Sequence, residues 1–171
     1  MTLDYPNLRT EKPREQLEKA VDLTLFRHRI RGRVRTFEVD RQNIVHNAVY
    51  LQWLETGRVE YWRALGLPID QQTFVTRYRF VVAHLDIDYL WAARFDEEYE
   101  VLTRTVFVKN SSFGMEQIVQ LLDGTLLVVA NLVLVNLNAA TWKPQRISDA
   151  LRKLIRELEG ERVRFIEAVT G

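Results

Sequence analysis

The chain has 171 residues, of which 47% are hydrophobic and 27% charged, and 24 basic side chains oppose 23 acidic ones. This length fits one domain with a sizeable core, and a net charge of +1 excludes nucleic-acid binding driven by overall charge. The absence of cysteine excludes disulfides, thiolate nucleophiles and thiolate metal ligands. We expect a cytoplasmic protein that binds no nucleic acid.

The first 25 residues differ from the remainder in composition. Residues 1–13 contain two prolines and few apolar side chains, which predicts a flexible arm and no signal peptide. Apolar spacing then predicts a short helix over residues 14–25. We therefore divide the chain into an N-terminal arm with a short helix, residues 1–25, and one domain, residues 26–171.

A membrane span is not expected. The most apolar stretch, residues 121–137, is interrupted by polar or flexible positions at Asp123, Gly124, Asn131 and Asn136.

Arginine then occupies every second position, at Arg27, Arg29, Arg31, Arg33 and Arg35. A period of two predicts a strand with one basic face. That face is either solvated or a stripe that binds anionic phosphates, and the sequence leaves both interpretations open.

The strongest predicted helix covers residues 48–65. Its three-four spacing places one set of side chains near one face: Leu51, Leu54, Arg58, Tyr61, Trp62 and Leu65. Asn47 is the expected N-cap, and Gly66 with Pro68 ends the helix. Gly57 in its middle costs about 1 kcal/mol relative to alanine, so we expect another element to approach closely there.

Strands dominate the remainder of the domain. Alternating patterns predict strands over residues 74–90, 98–108, 112–122 and 125–137. Asp123-Gly124 predicts a hairpin with a type I′ turn, and Ser148 is the expected cap of a C-terminal helix. The predicted order is one strand, the long helix, four strands of an antiparallel meander and a terminal helix.

The segment from Phe37 to Arg58 is the most informative of the chain. A β-like run, a polar loop and the long helix carry four features at characteristic intervals: Asp40, His46-Asn47, Tyr50 and Glu55-Thr56-Gly57-Arg58. They resemble the acid loop and central helix of the hotdog-fold acyl-CoA thioesterases, the 4-hydroxybenzoyl-CoA thioesterase-like superfamily. The resemblance implies an α+β hotdog domain, with an antiparallel five-stranded sheet wrapped around a long central helix. It also implies an enzyme that hydrolyses acyl-CoA without a cofactor.

Asp40 is the expected nucleophile or general base, because the matching acid of the family has that role. An acid before a helix also faces the helix N-terminal amides, here about His46, Asn47 and Ala48, which can form an oxyanion hole. The competing interpretation is a turn or capping residue.

The next pair departs from the family, whose members have Tyr-His or Asn-Asn where this chain has His46-Asn47. We place both residues in the predicted catalytic set with Asp40. His46 is a candidate proton carrier, and Asn47 caps the helix, orients Asp40 or binds substrate.

The predicted substrate-binding residues are Tyr50, Glu55, Arg58 and Ser112. Glu55 and Arg58 are also spaced to form an ion pair, and Glu55 is a reserve catalytic carboxylate. Ser112 lies at a strand junction, where many relatives have a turn that contains serine. Lys109 or Arg104, which lie near it in the sequence, are candidates to contact the phosphates of CoA.

No metal site is predicted. His84, Asp86 and Asp88 share one strand face, but no further ligand motif follows them. Nucleophile-elbow, P-loop, dinucleotide-binding and zinc-protease motifs are absent from the sequence, as is the hydratase pattern of the hotdog fold.

The function predicted from these features is hydrolysis of an acyl-CoA to the free acid and CoA. The alternatives are an acyl-carrier-protein thioesterase, or a hotdog module that binds acyl groups or assembles without catalysis. An open sheet exposes edge strands, so we expect a homodimer or homotetramer. The identity of the acyl group does not follow from the sequence.

Overall fold

The computed structural model describes residue 16 and residues 20–166, in which five long strands curve around one long helix. The elements in chain order are β1 (His28–Arg33), α1 (Asn47–Ala64), β2 (Arg79–Tyr89), β3 (Glu98–Val108), β4 (Ser112–Leu121), β5 (Leu126–Leu137), α2 (Asp149–Glu159) and β6 (Arg164–Phe165). The long strands are antiparallel, and the short β6 adds a parallel pair to β3. The predicted α+β class and its sheet around a helix are confirmed.

The order of the strands differs from the predicted meander. Across the sheet it is β1-β3-β4-β5-β2, so β2 pairs with β5 at the far edge and not with β3, the next strand along the chain. Alternation in a sequence reports which side chains face the core, but it does not report which strand lies alongside. As a consequence, β2 has a hydrogen-bonded partner on one side only among the described residues.

The strand predicted over residues 74–90 begins later than expected. Residues Gln72–Arg77 form a π-helical turn, and β2 starts at Arg79. The Asp70 side chain accepts a hydrogen bond of 2.6 Å from the Thr73 amide, and the Asp70 carbonyl accepts one from Phe74. Local side-chain capping of this kind competes with strand pairing.

The N-terminal predictions are only partly covered. The flexible arm, residues 1–13, lies outside the described residues, as does most of the predicted helix. Ala20 is helical, but the helix does not continue to residue 25, because Leu23–Leu25 form a 3-10 turn capped by the Asp22 side chain. Val21, Leu23 and Leu25 pack against a cluster on the outer face of the sheet, formed by Phe26, Leu102, Ile118 and Leu126. The boundary between residues 25 and 26 stays a prediction.

The β4–β5 hairpin forms as predicted, but its turn type is different. Gly124 has φ 92°, whereas Asp123 is not among the residues with positive φ, so a type I′ turn is excluded. Two hydrogen bonds close the loop: the Leu121 N–H donates to the Thr125 carbonyl at 2.9 Å, and the Gly124 N–H donates to the Leu121 carbonyl at 3.0 Å. This is a three-residue loop in which glycine supplies the left-handed position.

The centre of α1 lies against the sheet at Gly57. A Cβ atom at this position would lie 2.7 Å from Val101 Cγ1, 3.0 Å from Thr103 Oγ1 and 3.1 Å from Gln117 Nε2. The predicted close approach is confirmed, and the approaching atoms belong to side chains of β3 and β4. Leu51, which was predicted to lie on the packed face, is instead 40% exposed.

The terminal helix α2 is attached to α1 through a buried acid. Glu159 is 1% exposed, and its Oε1 accepts hydrogen bonds from Tyr61 Oη at 2.7 Å and from the Thr105 amide at 2.9 Å. Burial raises the pKa of the Glu159 carboxyl. Burial, together with the adjacent Glu159 carboxylate, raises the pKa of Tyr61 well above its usual value. Ser148 caps α2 as predicted, through its hydroxyl and the Leu151 amide. No helix in the described part of the chain is long and apolar enough to cross a membrane.

We expect Gly57→Ala to destabilise the fold, although alanine favours a helix by about 1 kcal/mol over glycine. The added methyl overlaps Val101, and overpacking of a core costs about 1–3 kcal/mol. The measurement is the free energy of unfolding in urea. Thr56→Ala, on the exposed side of the same turn, is the control. Val101→Ala should reduce the penalty of Gly57→Ala in the double variant, and independent, additive effects would contradict this packing.

Candidate active site

Asp40 lies in a tight loop between β1 and α1. Residues Thr36–Glu38 form a 3-10 turn, so the β-like run predicted before Asp40 is wrong except for one bridge between Val39 and Val45. Two hydrogen bonds close the loop: the Asp40 N–H donates to the Ile44 carbonyl at 2.8 Å, and the Asn43 N–H donates to the Asp40 carbonyl at 3.0 Å. Asn43 occupies the left-handed region at φ 60°, which asparagine tolerates well. The chain thereby reverses and presents Asp40 beside the start of α1.

The Asp40 carboxylate is half-buried and has one oxygen engaged. Oδ1 accepts a hydrogen bond of 2.7 Å from the Gln42 amide, so Asp40 stabilises the turn, which was the competing interpretation of this residue. Within the described part of the chain, no hydrogen bond is made to Oδ2. The turn therefore fixes the carboxylate and leaves its second oxygen for a ligand.

A buried glutamate that the sequence analysis missed holds this loop in place. Glu38 is 8% exposed, and its carboxylate accepts hydrogen bonds from Trp53 Nε1 at 2.8 Å and from the Arg35 amide at 2.6 Å. The Glu38 carbonyl accepts from the His46 amide at 3.0 Å. Trp53 stacks on Tyr99 at 3.8 Å, and burial together with Glu38 raises the pKa of Tyr99 to about 12. Nothing local in the sequence distinguishes Glu38 from a surface acid, because its burial depends on the distant Trp53.

The start of α1 is capped by His46 and not by Asn47. His46 Nδ1 accepts a hydrogen bond of 3.1 Å from the Ala48 amide, which assigns the ring proton of a neutral His46 to Nε2. Two of the three amides predicted for the oxyanion hole, those of His46 and Ala48, are thus engaged. The Asn47 N–H is the one of the three without an acceptor among the described residues.

A pocket of about 440 Å³ brings three of the predicted site residues together. Asp40, Asn47 and Tyr50 line it, and the other lining residues are Gln42, Ile44, Val45, Tyr89, Leu90, Trp91 and Ala92. His46 is exposed at the adjacent helix start and is not part of the lining. Tyr89 and Trp91 were missed as site residues, although three bulky side chains in a row at a strand end are a usable signal.

Two tyrosines shape the pocket differently. Tyr50 Oη accepts a hydrogen bond of 2.9 Å from the buried Ala93 amide, whereas Tyr89 Oη donates one of 3.1 Å to the Asn47 carbonyl at an exposed position. Their rings meet edge to face at 5.8 Å. Burial raises the pKa of both tyrosines, so both are neutral at physiological pH.

Glu55 and Arg58 lie at a second pocket, of about 480 Å³, farther along α1. Its apolar lining includes Trp62, Phe74, Phe80 and Val82. Arg58 pairs with Glu55, as predicted, and its Nη1 donates to Gln117 Oε1 at 2.9 Å. Gln117 Nε2 in turn donates to the Leu54 carbonyl at 2.8 Å and to Thr103 Oγ1 at 3.0 Å.

Ser112 is also distant from Asp40 within one chain. Ser112 on β4 lies opposite Val135 on β5, and Val135 in turn pairs with Val81, near the start of β2. Tyr89, which lines the Asp40 pocket, is the last residue of β2. Val81 and Tyr89 are eight residues apart, or about 27 Å along a strand. Ser112, Glu55 and Arg58 therefore do not meet Asp40 in one copy of the protein.

Three of the five arginines in the stripe form ion pairs with acids of β3 or of the turn before it. Arg29 and Arg31 both contact Glu100, which is 4% exposed, at 3.4 and 3.0 Å. Arg33 pairs with Asp96 and Glu98 at 3.3 and 2.8 Å. These ion pairs favour the interpretation as ordinary surface over a phosphate-binding stripe.

Arg104 is likewise engaged, by Glu116 at 2.6 Å. The described residues contain no group of three or more histidine, aspartate or glutamate side chains placed to hold a metal.

Comparison with known proteins adds independent information. A model of the family described as the thioesterase superfamily matches residues 42–128, a range that begins just after Asp40. The acyl-CoA thioesterase YbgC of Haemophilus influenzae is 36% identical over 93 residues, which span 53% of this chain and 65% of that protein, just under two thirds. The acyl-CoA thioester hydrolase YbgC of Escherichia coli O157:H7 is 26% identical over 131 residues, covering 77% of this chain and 96% of that protein.

Solved structures give the same fold. A thioesterase from Thermus thermophilus, complexed with coenzyme A and Zn, aligns with a TM-score of 0.69 and 32% identity, covering 79% of this chain and 96% of that one. A probable thioesterase from Bartonella henselae aligns with a TM-score of 0.65 and 27% identity, covering 71% and 98%. The predicted sheet-around-helix fold therefore matches these proteins over nearly their whole length.

We expect Tyr50→Phe to destabilise the protein and Tyr89→Phe, in the same pocket, to have little effect. Loss of the Tyr50 hydroxyl leaves the buried Ala93 N–H without an acceptor, which costs about 1–3 kcal/mol. The exposed Asn47 carbonyl can bind water instead, so Tyr89→Phe should stay within about 0.5 kcal/mol. The free energy of unfolding of both variants is the measurement. Equal stabilities would show that the Tyr50 hydroxyl has no structural role.

Proposed function

The chain belongs to the thioesterase superfamily, and on that premise we propose that it hydrolyses an acyl-CoA thioester with Asp40 as nucleophile or general base. The family and the enzyme class predicted from the sequence, a thioester hydrolase, are confirmed by the family match and by relatives named acyl-CoA thioesterases. The relatives are proteins in their own right, and the assignment of substrate and residues to this chain is our proposal.

One observation carries the proposal. Asp40 is fixed at the wall of a pocket with Oδ2 unengaged, and Asn47 offers an unengaged amide at the start of α1 on the same pocket. Hydrolysis of a thioester requires a group that attacks or activates water and a donor for the oxygen that becomes negative. The pocket combines both requirements at one helix terminus, where the macrodipole also favours negative charge.

In the proposed reaction the thioester carbonyl oxygen accepts a hydrogen bond from the Asn47 backbone N–H. Asp40 either attacks the carbonyl carbon directly or removes a proton from a water that attacks it. The carbon–sulfur bond breaks, water supplies the hydroxyl of the acid, and its proton balances the departing CoA thiolate. Tyr50 forms the pocket wall beside this carbon.

His46 remains a candidate for the proton transfer to sulfur. Its Nδ1 is engaged as the helix cap, so only Nε2 is available for that role. We rank its contribution below that of Asp40 because the side chain points to solvent at the rim and does not line the pocket.

The two remaining alternatives are separated by assay. A carrier-protein thioesterase would hydrolyse acyl-carrier protein in preference to acyl-CoA, and a non-catalytic module would bind acyl-CoA without releasing thiol. A panel of short, long and aromatic acyl-CoAs, followed by free-thiol release, addresses both the reaction and the unknown acyl group.

Association of two copies would complete the site. β2 is an edge strand with exposed apolar side chains, including Val82 at 48% and Tyr89 at 46% exposure. Antiparallel pairing of two β2 strands, which removes such edges, sets the start of one strand against the end of the other. The second pocket of one copy, with Glu55 and Arg58, would then lie beside the Asp40 pocket of its partner. We propose a homodimer at least, with sites shared between subunits.

Asp40→Asn should lower the rate of acyl-CoA hydrolysis by about a hundredfold or more while the protein stays folded. The amide preserves the hydrogen bond from Gln42 but removes the negative charge that a nucleophile or base requires. Thiol release under saturating substrate is the measurement, with circular dichroism to verify folding.

Asp88→Asn, on the exposed face of β2, is the matched control and should leave the rate unchanged. Turnover of the Asp40→Asn variant near the wild-type rate would exclude the mechanism.

The wild-type protein should sediment as a dimer or tetramer at micromolar concentration, and Val82→Lys should shift it towards monomer. A charge on an edge strand disfavours pairing with another copy. Val75→Lys, exposed but outside β2, is the control. Analytical ultracentrifugation gives the readout, and a stable wild-type monomer would contradict both the dimer and the shared site.

A further inference from the structure

A carboxylate behind the Asp40 pocket is buried without a cation. Glu38 is 8% exposed, and none of the ion pairs that join described residues includes it. Its two oxygens accept hydrogen bonds from two donors, Trp53 Nε1 at 2.8 Å and the Arg35 N–H at 2.6 Å. Burial of an acid is unfavourable unless such bonds replace its hydration. A neutral side chain would fill this position at a lower cost to stability, so the two bonds need an explanation beyond packing.

The backbone of Glu38 holds both ends of the Asp40 loop. The Glu38 carbonyl accepts a hydrogen bond of 3.0 Å from the His46 N–H, and the Asp40 N–H donates one of 2.8 Å to the Ile44 carbonyl. Asp40 follows Glu38 by two residues, and Asn47 follows His46 directly. The acid and the amide that the proposed reaction needs are therefore connected to each other through Glu38.

Trp53 connects the Glu38 carboxylate to the pocket wall. The indole is 4% exposed, stacks on Tyr99 with 3.8 Å between the ring centroids, and meets Tyr50 edge to face at 5.1 Å. Tyr99 in turn covers Gly32, where a Cβ atom would lie 2.3 Å from Tyr99 Cζ. Tyr50 lines the pocket. Because the indole is enclosed in this way, it keeps one orientation, and its N–H gives the Glu38 carboxylate a fixed partner on α1.

We propose that Glu38 is a positioning residue for thioester hydrolysis. Its bonds to Trp53 and His46 fix the Asp40 loop against the start of α1, so the Asp40 carboxylate and the Asn47 N–H are held at one separation. Glu38 does not line the pocket, and it acts through the residues that it holds. Displacement of a reacting group by about 1 Å lowers a rate by about a hundredfold. The inference rests on the proposed function, in which the acid and the amide act on the same carbonyl group.

The chain contains a matched control for this role. Glu159 is also buried, at 1% exposure, and its carboxylate also accepts from a side chain of α1, Tyr61 Oη at 2.7 Å, and from a backbone amide, that of Thr105 at 2.9 Å. Tyr61 follows Asn47 by fourteen residues, or about 21 Å along the helix. Loss of either donor on α1 leaves a buried acid short of one bond, but only Glu38 lies at the proposed site.

The first test removes the carboxylate. Glutamine retains the shape of Glu38 but has one acceptor oxygen, so its NH2 group faces either Trp53 Nε1 or the Arg35 N–H, both of which are donors. We expect Glu38→Gln to lower kcat for acyl-CoA about tenfold and to leave KM within about twofold. Tyr61→Phe, which removes a donor to the other buried acid, is the control and should leave kcat unchanged. A wild-type kcat in Glu38→Gln, or an equal loss in Tyr61→Phe, overturns the proposal.

The second test uses a double variant. Trp53→Phe keeps an aromatic ring but removes the N–H, and it should lower kcat by a similar factor. In that background the amide of Glu38→Gln faces no donor from α1 and accepts from the Arg35 N–H. The double variant should therefore lose less kcat than the product of the two single losses. Losses that multiply would overturn the proposal, and the comparison of Trp53→Phe with Tyr61→Phe decides it if Glu38→Gln does not fold.

The third test is independent of activity and follows amide hydrogen exchange by NMR. In Glu38→Gln the Asp40 and His46 amides, which are hydrogen-bonded in the loop, should exchange about tenfold faster, and in Tyr61→Phe they should not change. Unchanged exchange in Glu38→Gln overturns the proposal. If the wild-type protein releases no thiol from any acyl thioester, the proposed function fails, and exchange alone decides whether Glu38 fixes the loop. Hydrolysis with an unaltered kcat in Glu38→Gln leaves the proposed function intact and refutes the positioning role.

Discussion

The contact of α1 with the sheet at Gly57 is the constraint on which the remaining arrangement depends. Because no side chain separates the helix from Val101, Thr103 and Gln117, the distance between helix and sheet is set at this point. The long helix extends from there in both directions. Its start reaches the Asp40 loop, and its later turns reach the second pocket, so one close contact positions both pockets.

Three polar side chains of α1 then determine how the helix is rotated and where it begins. Trp53 donates to Glu38, Arg58 donates to Gln117, and Tyr61 donates to Glu159. Each partner is buried, so an alternative rotation of the helix would leave desolvated polar groups without partners. The Trp53–Glu38 bond links this requirement to the site, since Glu38 also binds the His46 amide and thereby sets the start of the helix beside Asp40.

The two pockets lie towards opposite ends of β2, the edge strand. The predicted catalytic and substrate-binding residues divide into two groups at opposite ends of one strand, Asp40 with Asn47 and Tyr50 at one end, Glu55 with Arg58 at the other. A single copy cannot combine them. Pairing of two copies along β2 would combine them twice.

The sequence by itself determined α1, β3 and the family. Three-four spacing predicts α1 to within one residue, strand alternation predicts β3 with its observed ends, and the interval from Asp40 to Arg58 identifies the fold. Only the tertiary structure decided that β2 lies beside β5, that Glu38 is buried under Trp53, and that His46 and not Asn47 caps α1. The reason is physical: periodicity along a chain reports which side of an element avoids water, whereas neighbours and hydrogen-bond partners are set by segments that meet only after the chain has folded.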